Sequence, residues 1–151
     1  MVKSKSNSRL SSLIILAQTD TTVGFASKNH KKLADIKSRP TTKPFIKVYN
    51  SFLACGTRVP QSKKNIFRRS KKTTFIIKNK AIRVNTHANN SQIQREFDFY
   101  YSTSANEKNK NFDREFCEKK ADIIIEDKNG LYENSSSVLI KINNNKEVRL
   151  R

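Results

Sequence analysis

The chain has 151 residues, with 31 Lys and Arg against 13 Asp and Glu, a formal net charge of +18 and a hydrophobic share of 35%. That length predicts a single domain with one core, and the charge points to a polyanionic partner, nucleic acid before membrane. Cys55 and Cys117 stand alone and His30 and His87 sit in no ligand spacing, which argues against a structural zinc, a Cys-His nucleophile or a disulfide framework.

Residues 1–11 read as a basic flexible arm, and residues 12–151 as the folded domain. Only five strongly apolar residues follow the arm, too few for a secretory or membrane-spanning segment, so a cytoplasmic location is expected. Those five, Leu13 to Ala17, read as a strand buried on both faces. At its carboxyl end come Thr19, Asp20, Thr21 and Thr22, with Gly24 offering a tight or positive-φ backbone. Residues 29–37 then form a short amphipathic helix capped by Asn29, with Leu33 and Ile36 on its apolar side. Pro40 stops it and leaves Lys37 and Arg39 on the stop. Two such cations suit a polyphosphate, or are two more solvated charges in a basic chain.

Residues 45–49 alternate as a second strand. From Gly56 to Lys72 a run of seven cations reads as a loop, or a poorly formed helix around Ile66 and Phe67, able to touch phosphate without reading sequence. Thr73 to Ile77 and Ala81 to Val84, joined by Lys78-Asn79-Lys80, predict a hairpin. Arg83, inside its second strand, either snorkels to an edge or is held by an anion. A short helix over 90–97 precedes a strand, 99–101, which runs into Ser102-Thr103-Ser104-Ala105-Asn106. A helix over 112–120 leads to a buried strand over 121–125, Asn129-Gly130 makes a turn, and Ser135-Ser136-Ser137 opens the strand 138–142. Asn143 to Asn145 turns the chain into Val148 to Arg151. Together these predict an α/β class: a single domain with a twisted, mixed sheet and a concave basic face.

Three hydroxyl clusters at strand ends and a Lys-x-Arg triplet resemble the YrdC-like threonylcarbamoyl-AMP synthases. The family's opening P-T-[DE]-T-V-Y-G-L motif is similar to Gln18-Thr19-Asp20-Thr21-Thr22-Val23-Gly24-Phe25. Its K-x-R-P-x-x-K-P signature is intact as Lys37-Ser38-Arg39-Pro40-Thr41-Thr42-Lys43-Pro44. Its T-S-A-N motif stands as Thr103-Ser104-Ala105-Asn106, and Ile82-Arg83-Val84, Ser136-Ser137-Val138 and Val148-Arg149-Leu150 resemble three further strands. Gln18, Val23, Asn85 and Arg151 depart from its usual residues.

The resemblance implies an enzyme, a nucleotidyltransferase joining L-threonine, bicarbonate and ATP into threonylcarbamoyl-AMP for tRNA modification. It implies that Lys37, Arg39, Ser104, Asn106 and Arg149 contact ATP, with Lys37 and Arg39 catalytic, and that Thr19, Arg83, Ser102 and Ser136 hold L-threonine. Magnesium is expected with ATP rather than in a protein cage. The implied partners are the tRNA threonylcarbamoyl-transfer machinery and double-stranded RNA or tRNA. A non-catalytic relative that binds RNA with its basic face is the alternative.

Overall fold

The computed structural model describes residues 11–40, 45–51, 61–84, 97–142 and 146–151. Nine strands make one mixed sheet: β1 Ile15–Gln18, β2 Val23–Ser27, β3 Ile46–Tyr49, β4 Thr73–Ile77, β5 Lys80–Val84, β6 Phe99–Ser104, β7 Ile123–Ile125, β8 Val138–Ile142 and β9 Glu147–Arg149. Their spatial order is β7-β1-β2-β6-β3-β5-β4-β8-β9. The pairs β1–β7, β3–β5 and β4–β8 run parallel, and the other neighbours antiparallel. The helices are α1 His30–Ile36, α2 Lys64–Arg69 and α3 Arg114–Lys120.

Local chemistry accounts for most of these elements. Asn29 caps α1, its Oδ1 accepting from Lys32 N at 3.2 Å, while Ser27 Oγ accepts from Asn29 N at 3.0 Å. Ser38, at φ 49°, ends the helix in the left-handed region, and Arg39 N donates to Ala34 O at 2.9 Å. Asp113 caps α3 in the same way through Phe116 N. The hairpin β4–β5 turns on Lys78 and Asn79, at φ 50° and 64°, the geometry that matches strand twist in a two-residue loop.

Two expectations change. Residues 23–27 are a strand, and the Thr19 to Thr22 turn joins β1 to β2 as a hairpin. All five β2 residues are buried, so no alternation marks it. Gly24 has no positive φ; it is needed because a Cβ there would come 3.1 Å from Thr103 O on β6. In addition, β7 is an edge strand rather than a buried one, with Ile124 41% exposed. The cation run contains a true helix, α2, whose Phe67 packs against Phe75 at 4.7 Å between ring centres. The expected arm, the expected helix over 90–97 and the Asn143 to Asn145 turn lie outside the described residues, apart from Ser11 and Phe97.

Strand alternation divides the core between two faces. On one, Leu33 and Ala34 of α1 and Cys117 of α3 pack on Leu16 and Phe25, and Phe67 of α2 packs with Phe75, Ile82 and Tyr49. Ala17, Ala26, Val48 and Tyr100 face the other way. That second face has a cleft beside them. No helix among the described residues is long and apolar enough to cross a membrane.

Candidate active site

The cleft holds about 670 Å3 and runs across β2, β6, β3, β5, β4 and β8. Its floor follows from register: Gly24 opposes Ser104 and Ser102 opposes both Ala26 and Ile46, so these side chains emerge on one face. Thr19, Arg39, Arg83, Ser102, Ser104 and Ser136 all line it, bringing together residues far apart in sequence. No Asp or Glu is among its described lining residues.

The first hydroxyl cluster is wired into its own turn. Thr19 Oγ1 donates to Thr22 O at 2.6 Å and accepts from Thr21 N at 3.1 Å. Next to it sits Arg83, 8% exposed. Its Nη1 donates to Thr21 Oγ1 at 3.2 Å and its Nη2 to Asp20 Oδ1. The arginine is therefore held by an anion, one the chain itself supplies. A guanidinium has five N–H donors, so this anchoring leaves others to meet a ligand carboxylate.

Arg39 also lines the cleft, with its Cζ 4.5 Å from the centre of the Phe45 ring. Burial lowers its pKa from the ordinary 12.5, yet a guanidinium so placed remains a cation at neutral pH. Stacking on a ring fixes the plane of the fork, which a flexible lysine does not offer.

Lys37 and Asn106 do not line the cleft; they build its wall. The Lys37 ammonium donates to Ser104 O at 3.0 Å, Asn106 O at 2.6 Å and Asn106 Oδ1 at 2.9 Å. Ser104 Oγ donates to the same Asn106 Oδ1 at 2.7 Å. Burial pulls the ammonium below its ordinary 10.5, against an opposing electrostatic effect of Cys117. Burial in turn pushes that thiol up.

At the far wall Ser136 is exposed, while Ser137 is buried and shares a 2.7 Å hydrogen bond with Thr74 Oγ1. Arg149 is exposed and outside the lining, and Arg151 lines the cleft instead, its Nε donating to Ser137 O at 3.0 Å. Sequence reasoning also passed over Asp20, Thr21, Ser137 and Phe45. Asp20 and Thr21 were visible as neighbours of Thr19, but nothing local says that Arg83, on another strand, reaches them. Thr41 to Pro44, the second half of the Lys-x-Arg signature, lie outside the described residues.

No model of a known protein family matches the chain, and no curated protein matches it in sequence. Solved structures do. A variant Sua5 of P. abyssi superimposes with a TM-score of 0.78 at 18% identity, covering 97% of this chain and 54% of that one. E. coli YciO gives 0.74 at 16%, covering 99% of this chain and 88% of that one. The fold is YrdC-like. A second P. abyssi Sua5 structure, complexed with L-threonine, gives 0.72 at 16% identity, over 97% of this chain and 52% of that one. The chain thus spans about half the length of these Sua5 proteins. In the YrdC-like frame the cleft lies on the sheet face opposite α1, α2 and α3.

Proposed function

We propose that the cleft makes L-threonylcarbamoyl-AMP from L-threonine, bicarbonate and ATP. The observation that carries this reading is the convergence of Arg39, Arg83 and hydroxyls from three separate segments, the β1–β2 turn, β6 and the approach to β8, on one open cleft in a YrdC-like fold. The solved likeness to a Sua5 complexed with L-threonine supports it.

In this reading Arg83, pinned by Asp20 and Thr21, offers its remaining N–H groups to the threonine carboxylate. Thr19, Ser102 and Ser136 meet the threonine hydroxyl and amine. The amine and bicarbonate give a carbamate with loss of water. A carbamate oxygen then attacks the α-phosphorus of ATP, the bond to the bridging oxygen of the β-phosphate breaks, and pyrophosphate leaves. Arg39, held against Phe45, forks phosphoryl oxygens as negative charge shifts to the leaving group; each charge-assisted hydrogen bond of this type contributes about 1.5–3 kcal/mol. Ser104 meets the same phosphates. Arg151 takes the place at the cleft that the sequence assigned to Arg149. Lys37 acts on ATP by fixing the Ser104 to Asn106 wall.

Among the described residues no three Asp, Glu, His or Cys gather to hold a metal. In this reading magnesium enters with ATP, where phosphate oxygens and water would hold it. The product is then used by the tRNA threonylcarbamoyl-transfer machinery.

The test is pyrophosphate release by the purified protein. Release that needs ATP, L-threonine and bicarbonate together is the expected result, and Lys37→Ala or Arg39→Ala should abolish it in folded protein. Absence of release at high protein concentration overturns the reading.

A further inference from the structure

The register that turns Ile46 and Ser102 toward the cleft turns their neighbours Lys47 and Tyr101 to the opposite, helix-bearing face. There Lys47, Tyr49, Lys80, Ile82 and Tyr101 line a second hollow of about 190 Å3. Two of its rings, Tyr49 and Tyr101, belong to an aromatic row that continues beyond it. Tyr49 lies 6.0 Å from Phe99, Phe99 lies 6.0 Å edge-on to Tyr101, and His30 of α1 meets Tyr101 edge-on at 5.5 Å.

Cations are interleaved with these rings. Lys28 Nζ stands 3.2 Å over the centre of Phe99, and Lys47 Nζ stands 4.0 Å from the same centre and 5.4 Å from that of Tyr49. Lys28 has Asp98 as its counter-ion at 3.1 Å. Lys47, half-buried on a central strand, and Lys80, exposed at the rim, have no carboxylate partner among the described residues. A partly desolvated ammonium with rings but no anion beside it is an incomplete site. What completes it must be anionic and present a flat apolar surface, in a protein of net charge +18.

We propose that this hollow seats one nucleotide of a single-stranded nucleic acid. The base enters against Tyr101, and the phosphates flanking it lie on Lys47 and Lys80. The volume is enough for a base but not for base, sugar and phosphates together, so the backbone stays outside and continues along the face. A strand gains a phosphate contact on each side of the seated base, which a free nucleotide cannot. A duplex keeps its bases stacked and out of reach. The hollow shares Phe45 and Ala81 with the lining of the cleft, but Lys47 and Tyr101 belong to the hollow alone, and the proposal does not depend on the reaction proposed for the cleft.

The experiment is fluorescence anisotropy of a labelled single-stranded RNA of roughly 8 nucleotides, a length within the usual site size. The variants are Lys47→Gln/Lys80→Gln, Tyr101→Leu, and a control that removes equal charge elsewhere, Lys119→Gln/Lys128→Gln. Expected are a loss of about 10-fold or more in the first, with a salt dependence flatter by about 0.7 per lysine contact. Tyr101→Leu, which changes no charge, should lose about 5-fold or more through lost stacking. The control should stay within about 2-fold of wild type, since exposed charges far from the strand act only through a screened field. Lys47→Arg/Lys80→Arg, which keeps both cations, should retain binding and so separates a lost contact from a lost fold. Equal losses in the two glutamine doubles, full binding by Tyr101→Leu, no binding by wild type, or equal affinity for a duplex of the same sequence would each overturn the proposal.

Discussion

On the cleft face the cations are arginines tied to the chain itself: Arg83 to Asp20 and Thr21, Arg151 to Ser137, Arg39 against Phe45. On the helix-bearing face Lys47 and Lys80 share a hollow with aromatic rings and have no acidic partner among the described residues. The two faces belong to the same strands and are separated by one residue of alternation. The difference teaches that net charge says little about where a cation is useful. A guanidinium whose direction is set before a ligand arrives pays its ordering cost in folding, whereas an ammonium over rings keeps its freedom and its unmet charge.

If that contrast is right, the two faces should respond unequally to losing a cation. Arg83→Ala leaves the Asp20 carboxylate, 7% exposed, buried without its partner, and should cost about 3–5 kcal/mol in urea unfolding. Lys47→Ala, which loses cation–π contacts and leaves no buried charge, should cost about 0.5–1 kcal/mol. Equal costs would erase the distinction. Gly24→Ala probes the floor of the cleft without touching charge. Its Cβ would press on Thr103 O at 3.1 Å and Thr19 Cγ2 at 3.3 Å, so a loss of about 1–3 kcal/mol is expected in thermal unfolding, together with weaker threonine binding. An unchanged melting point would mean that β2 and β6 can separate there.

The smallest expected effect lies at an ordinary surface pair, Lys32 and Asp122, that lines neither site. The Asp122 carboxylate accepts from Ile14 N at 2.8 Å and from Lys32 Nζ at 3.0 Å, and these bonds, the backbone one foremost, hold its pKa below the ordinary 3.8. Its contribution is therefore complete above 3.8 and is lost as pH falls below that toward the lowered value. The urea midpoint of wild type should drop more steeply than that of Asp122→Asn across this window. Parallel curves would show that Asp122 adds nothing dependent on pH.

The sequence displayed the elements that carry their own signals. The Asn29 cap, an end to the first helix ahead of Pro40, the Lys78-Asn79 turn and the runs at Thr73 to Ile77 and Val138 to Ile142 all stand where the structure has them. It concealed β2, whose five buried residues lack a period, and the edge position of β7, because a run of three isoleucines reads as core wherever it lies. The hydroxyl turns around the cleft were legible as types. Their wiring was not: the Asp20–Arg83 pair and the hold of Lys37 on Asn106 join segments more than sixty residues apart, and only the assembled sheet brings them within reach. Arg149 and Arg151 share a strand period, so sequence had no means to tell which of them turns back over Ser137.

The parallel pairing of β8 with β4, and of β7 with β1, also has a meaning for a chain that is still being made. Thr19, Arg39 and Arg83 leave the ribosome long before Ser136, and until β7 and β8 emerge β1 and β4 both lack a neighbour that the finished sheet provides. Long-range pairing of this kind forms late and leaves apolar strand edges open in the meantime. The nascent protein therefore has most of the side chains of its cleft but neither the far wall nor a complete sheet, and it gains those strand pairs and the rest of its cleft together.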